Sequence, residues 1–412
     1  MLLEDTAPAV PRIGVWTVGA RGSLATTVVA GAAALEAGLV APTGCVTELP
    51  PFHAAGLPPA GDLVFGGHDV VDVGLPERAR RLADSGVLPA ALLPHVRDAL
   101  EAADREVRTG FRTADADTDA EPQSAVAARI TADIADFRAR HRLDQVVVVN
   151  LASTEPLPAA DPAYTSLASL RAALHRRTDV LPASSLYAYA ALDAGCAHVN
   201  FTPSAGACLP ALEELARLRG VPHAGRDGKT GETLVKSVLA PMFGQRALKV
   251  RSWSGINLLG GGDGATLDDP AAARSKIESK RRSLRESLGH EVDDIVHIDN
   301  VPALGEWKTA WNHITFEGFL GAHMALQFTW QGCDSALAAP LVLDLVRLTA
   351  LAARRGEAGA LPALGFFFKD PVASTESSLS RQYDTLCAWA TTAPPPSAGK
   401  HPDLAPATVP GN

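Results

Sequence analysis

Apolar runs alternate with amphipathic stretches over the first half of the chain. Ile13-Gly-Val-Trp-Thr-Val-Gly19 is an apolar run ending in glycine, and residues 23–35 after it have helical character. A strand, a tight turn and a helix in that order open a doubly wound α/β unit. Further buried strands are predicted over 62–65, 145–151 and 198–202, with helices over 124–140 and 209–219. The alternation predicts a Rossmann-like parallel sheet wrapped by helices. Residues 112–123 are acidic and lack large apolar side chains, which predicts an exposed loop.

The pattern changes after Val221. Residues 314–330 are long and partly alternate in polarity, as a sheet covered on one face does, and 335–355 predict a long apolar helix interrupted by Pro340. The chain therefore divides into a dinucleotide-binding domain (1–227), an α+β domain (228–332), a C-terminal helix and strand returning to the first domain (333–390), and a Pro/Ala/Gly tail predicted to be disordered (391–412).

With 412 residues, 47% hydrophobic and 20% charged, the chain has the profile of a globular protein of two or three domains, not of a disordered or fibrous one. A net charge of −9 disfavours nucleic acid and anionic membranes as partners. No long uninterrupted apolar run is present, and acids stand where a signal peptide carries a basic region, so a cytoplasmic location is expected. Cys45, Cys196, Cys208, Cys333 and Cys387 form no CxxC pair, which predicts reduced thiols and no structural zinc. The cations are more informative. Of 37 basic residues only eight are Lys, none precedes Lys229, and six fall between Lys229 and Lys308. A chain that uses Arg almost everywhere keeps the compact, tunable ammonium group for positions where a guanidinium does not serve.

Several loops carry candidate chemistry. Gly19-Ala20-Arg21-Gly22-Ser23 stands where a phosphate-cradling turn belongs, although Thr17 replaces the first glycine of GxGxxG. Gly66-Gly67-His68-Asp69, Ala152-Ser153-Thr154-Glu155 and Asn200 with Thr202-Pro203-Ser204 follow predicted strands; each alone is a turn, and together they outline one crevice rim. In Gly225-Arg-Asp227-Gly-Lys229-Thr230-Gly231-Glu232-Thr233, small and hydroxyl residues precede a predicted helix (234–243) and either hold a phosphate or simply cap it. Gly260-Gly261-Gly262-Asp263 is a flexible loop with one carboxylate. Lys276 and Lys280 share a helix face, a repulsive spacing unless an anion lies between them. Glu306 and Lys308 sit on a predicted turn, Asp334 with Ser335 starts the long helix and is a candidate cap, and Lys369 ends an aromatic strand at Phe366-Phe-Phe.

Taken in order, these segments resemble the inositol-3-phosphate synthase family. Its nucleotide turn is similar to residues 19–23, its SGWD loop to 66–69, its ANTE segment to 152–155 and its NGSP segment to 200–203. Its GDDFKSGQT phosphate motif resembles 225–233, its RSKxxSK lysine pair 274–280, its GDSK turn 305–308, its EDSLLAxP helix start 333–340, and its terminal lysine strand ends at Lys369. Departures are Gly261 and Gly262 for two asparagines of LGNNDG, Glu232 for glutamine and Glu306 for aspartate.

The resemblance implies a tetrameric isomerase with bound NAD that oxidises glucose 6-phosphate at carbon 5, enolises it, closes carbon 6 onto the carbon 1 aldehyde and reduces the ring. No net redox change results. Lys276 and Lys369 would serve the oxyanions and proton transfer at carbon 5, Lys308 and Lys280 the enolate or aldehyde oxygen and the phosphate, and Asp227 and Asp334 would orient lysines. Thr230, Gly231, Glu232 and Thr233 would hold phosphate. Gly19, Ala20, Arg21, Gly22, Ser23, Asp69, Ala152, Ser153, Thr154, Asp227, Gly261, Gly262, Asp263, Glu306, Asp334 and Ser335 would contact the cofactor, with Asp263 a candidate ligand for a monovalent or divalent cation near the pyrophosphate. The alternatives are a paralogue cyclising another sugar phosphate, such as fructose 6-phosphate, to a smaller carbocycle, a plain NAD-dependent dehydrogenase, or an NAD-binding sensor.

Overall fold

The computed structural model describes residues 11–111, 121–260, 288, 290 and 292–392. Of the features read from the sequence, Gly261, Gly262, Asp263, Lys276 and Lys280 lie outside the described residues, as do most of the acidic loop and the tail from residue 393.

Seven parallel strands form the first sheet. β1 (Ile13–Val18) lies between β2 (Val64–Asp69) and β4 (Gln145–Asn150); β3 (Val107–Thr109) flanks β2, and β5 (Ala197–Asn200), β6 (Pro222–Gly225) and β11 (Gly359–Ala360) continue beyond β4. Side chains of β1 and β4 are buried on both faces, which is why these two strands read as nearly unbroken apolar runs. Ile13, Val15, Val147 and Val149 pack on one face, and Trp16, Val18, Val146 and Val148 on the other. Helices α1 (Ser23–Glu36), α2 (Leu75–Asp84), α3 (Leu93–Arg105), α4 (Gln123–Arg140), α5 (Leu167–Leu174), α6 (Ala183–Asp193) and α7 (Pro210–Arg219) wrap the sheet. Strand order reverses between β1 and β4, and at such a switch point the loops beyond the carboxyl ends of the strands part into a crevice.

The strand predicted over 62–65 is shifted. Residues 64–69 form β2, so Gly66 and Gly67 are ladder residues opposite Trp16 and Thr17, not a loop. Gly67 is needed there because a β-carbon would collide with the Thr17 carbonyl oxygen.

After β6 comes α8 (Gly231–Gln245), then a four-stranded mixed sheet in the order β10-β9-β7-β8. Its strands are β7 (Lys249–Leu259), β8 (Asp293–Asn300), β9 (Trp307–Glu317) and β10 (His323–Cys333). The alternating stretch 314–330 thus turns back on itself between Glu317 and His323. Val250, Trp253 and Ile314 pack against Ala240 and Phe243 of α8, while Ile256, Ile295 and Trp311 remain exposed on the opposite face.

α9 (Asp334–Arg354) follows, and Pro340 lies inside it without dividing it. By length and composition this helix is apolar enough to cross a membrane, but it is mostly buried and packs as a core helix against α1 and β5. Its two buried ionisable side chains are hydrogen-bonded within the fold: Asp344 accepts from the Val46 amide at 2.6 Å, and Arg347 donates to the Pro58 carbonyl at 2.6 Å. Beyond β11 the expected aromatic strand is absent. Pro362–Phe367 is a 3-10 helix, and only Phe368 makes an isolated bridge, to Gly228. Three consecutive aromatic residues look like a strand, but Phe367 and Phe368 both bury, which a tight helical turn followed by one extended residue allows. α10 (Leu379–Thr391) closes the described chain.

Candidate active site

A cleft of about 500 Å³ opens between the carboxyl end of the parallel sheet and the mixed sheet. One wall includes the end of the nucleotide turn, Gly22 and Ser23; Gly19, Ala20 and Arg21 are not among its lining residues. Gly19 has φ +84°, and a β-carbon there would approach the Ala152 Cα to 2.9 Å, so glycine is required both by conformation and by the neighbouring loop. The Gly19 and Ala20 amides both donate to the His68 carbonyl, at 3.0 and 3.2 Å. Asp69 supports the same turn: its carboxylate accepts from the Arg21 amide at 2.6 Å and from the Val70 and Val71 amides at 2.7 and 2.8 Å. Gly22 and Ser23 line the cleft, facing Ala152, Ser153 and Thr154. Gly22 is the N-cap of α1 and offers no side-chain cap, which leaves the first amides of the helix to a ligand. A glycine cradle, an uncapped helix start and a switch point together fit the pyrophosphate of a dinucleotide.

The rest of the expected rim divides. Thr202 and Pro203 line the cleft. Asn200 and Ser204 are buried instead; Asn150 donates to the Asn200 side-chain oxygen at 3.1 Å and to Thr202 Oγ1 at 3.2 Å, a network that shapes the two loops. Glu155 accepts from the Ala183 and Ser184 amides at 3.0 and 2.9 Å and so caps α6.

Opposite the turn, charged side chains gather. Lys308, the second residue of β9, forms an ion pair with Asp334, and Lys369 Nζ lies 2.9 Å from Asp227 Oδ1. All four residues line the cleft. Asp334 is therefore not the cap of α9; Cys333 occupies the cap position and Asp334 is the first helical residue. Thr230, read as a cap of α8, likewise makes no capping bond, and its hydroxyl lies 3.5 Å from Asp334 Oδ1. Ser23 Oγ donates to Glu306 Oε1 at 2.9 Å, tying the start of α1 to the turn before β9 across 283 residues. Ser335 lines the cleft beside Asp334. Backbone bonds from Lys369 to the Asp227 carbonyl (2.7 Å) and from Lys229 to the Phe367 carbonyl (2.8 Å) clamp the 225–233 loop to the returning segment. Lys229 itself turns away from the cleft: it is buried against Gln382 of α10, and burial pushes its ammonium down to about 8.

A profile of the myo-inositol-1-phosphate synthase family matches residues 13–390. The chain belongs to this family. It is 33% identical over 419 residues to inositol-3-phosphate synthase 1 of Bacteroides thetaiotaomicron, covering 94% of this chain and 95% of that protein. It is also 33% identical over 393 residues to human inositol-3-phosphate synthase 1, covering 85% and 70%. The solved structure of Caenorhabditis elegans inositol-3-phosphate synthase superposes with a TM-score of 0.82 at 24% identity, over 93% of this chain and 86% of that one. A myo-inositol-1-phosphate synthase-related protein from Thermotoga maritima superposes with a TM-score of 0.74 at 25% identity, over 93% and 99%. A Rossmann-like parallel sheet joined to a second α+β unit is thus the family architecture.

Membership accounts for the order of the motifs but not for every cleft residue. Asn257, Trp330 and Arg78 line the same cavity and carried no motif. Asn257 and Trp330 both stand level with Ala310 on the inner face of the mixed sheet. Trp330 Nε1 is a buried donor with no partner among the described residues, and a β-carbon on Gly231 would lie 3.5 Å from it. The available signal was the inward phase of an alternating strand: Asn257 shares the phase of buried Trp253. Among the described residues no group of three His, Cys, Asp or Glu is placed to hold a metal ion.

Proposed function

We propose that the chain is an isomerase that cyclises glucose 6-phosphate to a myo-inositol phosphate in this cleft, using NAD. The observation that carries the reading is the convergence of two lysine–aspartate pairs and an uncapped, glycine-containing helix start on one cavity next to the nucleotide turn. When bound, NAD supplies a reversible two-electron acceptor for carbon 5. The chain's residues do the rest. Amides at Gly231 to Thr233 and the Thr230 hydroxyl take the substrate phosphate at the start of α8. Lys369, held by Asp227, meets the oxygen on carbon 5 and moves its proton. Lys308, held by Asp334, stabilises the enolate and then the aldehyde oxygen as carbon 6 closes onto carbon 1. Lys276 shares the work at carbon 5 and Lys280 that at the phosphate. The cleft walls exclude water from the enolate.

We further propose that the protein works in the cytoplasm as a homotetramer, with the open face of the mixed sheet, where Ile256, Ile295 and Trp311 are exposed, as an association surface. A second reading is favoured by Gly261 and Gly262, which remove two amide side chains of the family motif: a wider substrate pocket that closes a ketose phosphate to a smaller carbocycle. Incubation with catalytic NAD and either glucose 6-phosphate or fructose 6-phosphate, with the product identified by NMR, decides. The expected result is inositol phosphate from the aldose without accumulation of reduced cofactor. A five-membered ring from the ketose establishes the second reading, and stoichiometric cofactor reduction establishes a dehydrogenase.

A further inference from the structure

The phosphate end of the cleft contains an anion. Glu232, in the first turn of α8, is 7% exposed and lines the cavity where the substrate's dianion is placed. A carboxylate at that point repels phosphate unless its charge is engaged elsewhere. One turn on, Lys236 engages it: Nζ lies 2.9 Å from Glu232 Oε1, with only 11% of the lysine side chain exposed. The same ammonium lies 5.6 Å from the centroid of the Trp253 ring, and Trp253 is locked in the sheet by donating its indole N–H to Asn312 Oδ1 at 2.8 Å. Gly255 completes the seat. A β-carbon there would come within 3.2 Å of Glu232 Oε1, so glycine leaves the carboxylate room to lie against β7.

We propose that Lys236 is a positioning residue for phosphate capture. It acts through Glu232, drawing that carboxylate down onto the mixed sheet and away from the amides of Gly231 and Thr233. The inference rests on the reading of the α8 start as the phosphate site. It adds that an acidic residue is tolerated there because a lysine seated on Trp253 holds it aside.

The test is a double-mutant cycle read by titration calorimetry with inorganic phosphate and by the kinetics of the sugar phosphate. K236M in the native background is expected to weaken phosphate binding and raise KM about tenfold or more, with kcat nearly constant. In the E232Q background the same change is expected to cost no more than about twofold, because the carboxylate it restrained is gone. Equal losses in both backgrounds overturn the proposal, since Lys236 then acts on phosphate directly or through packing on Trp253. Should K236M alone fail to fold, the E232Q and E232Q/K236M pair still decides, because a tenfold gap between them overturns the proposal and near-equality supports it. A cycle without coupling in an active cyclase defeats this inference alone. A coupled cycle in a chain that binds phosphate but forms no carbocycle defeats the functional reading and leaves the positioning role standing.

Discussion

At the cleft, the switch region between β1 and β4 presents mostly small, uncharged residues, whereas the junction of the β6 loop, β9 and α9 presents charged side chains. The first wall is built from Gly22, the uncapped start of α1 and the 152–154 loop, with Gly19 packed behind it against Ala152. The second is built from Lys308 with Asp334 and Lys369 with Asp227. The difference follows from what each wall holds. A pyrophosphate is a fixed, diffuse anion that amides and a helix dipole can match permanently. A reacting sugar develops charge transiently at particular oxygens, which calls for compact ammonium groups whose protonation can change. It also fits the lysines of the cleft: Lys308 and Lys369, which line the second wall, are two of only eight lysines in the chain.

If this division holds, the two walls break differently, and the largest effect belongs to the second. Lys308→Met is expected to lower kcat by about 10²–10³-fold while leaving NAD affinity, measured by calorimetry, unchanged. Removing the ammonium also takes the Lys308 charge from Asp334, so an uncompensated carboxylate replaces a neutral ion pair in the cleft. Parallel loss of cofactor binding would show that Lys308 serves both walls and that the division is wrong.

Gly19→Ala attacks the other wall. The added carbon meets backbone of the 152–154 loop, and φ of +84° is unfavourable for any side chain. Stability is expected to fall by about 1–3 kcal/mol and NAD affinity by about tenfold. Phosphate binding at α8 should persist, because Gly19 packs against the 152–154 loop and not against the start of α8. A variant that binds NAD normally would mean that the cradle is only a chain reversal.

The two walls were not equally legible. The switch region is local in sequence: an apolar strand, a glycine turn and a helix within residues 13–36 announce themselves by pattern. For the second wall the lysines were visible through their scarcity, but their partners were not. Asp227 meets Lys369 across 142 residues, and Ser23 meets Glu306 across 283. Nothing in the sequence pairs them; packing of α9 and β11 onto the first sheet does. Asn257 and Trp330 escaped because a cleft-facing strand residue has the same alternation as a core-facing one. The capping alternatives for Thr230 and Asp334 are not the ones the structure takes, for a related reason: residue type at a helix start favours a local bond, and here each side chain has a partner from a distant segment.

The smallest expected effect tests the edge of the parallel sheet that carries Lys369 back to the cleft. Glu213 of α7 pairs with His223 Nε2 of β6 at 2.6 Å and accepts from the Ala360 amide of β11 at 3.1 Å. Hydrogen bonding from His223, and then from Arg217, overcomes burial and holds the carboxyl down at about 2, against an ordinary value of 4.5. A carboxyl depressed in the native state binds fewer protons there than in the unfolded chain, so its contribution is fully present above about pH 4.5 and is lost as pH falls toward 2. The carboxylate is partly exposed, so the contribution is about 1–2 kcal/mol. Glu213→Gln should therefore lower the urea midpoint at pH 7 and flatten the acid side of the stability profile, converging with the native chain near pH 2. Because the substitution leaves the Lys369 to Asp227 clamp intact, kcat should change less than twofold while stability falls. A larger loss of activity would show that β11 positions Lys369 through the sheet edge, making the parallel sheet a contributor to the second wall after all.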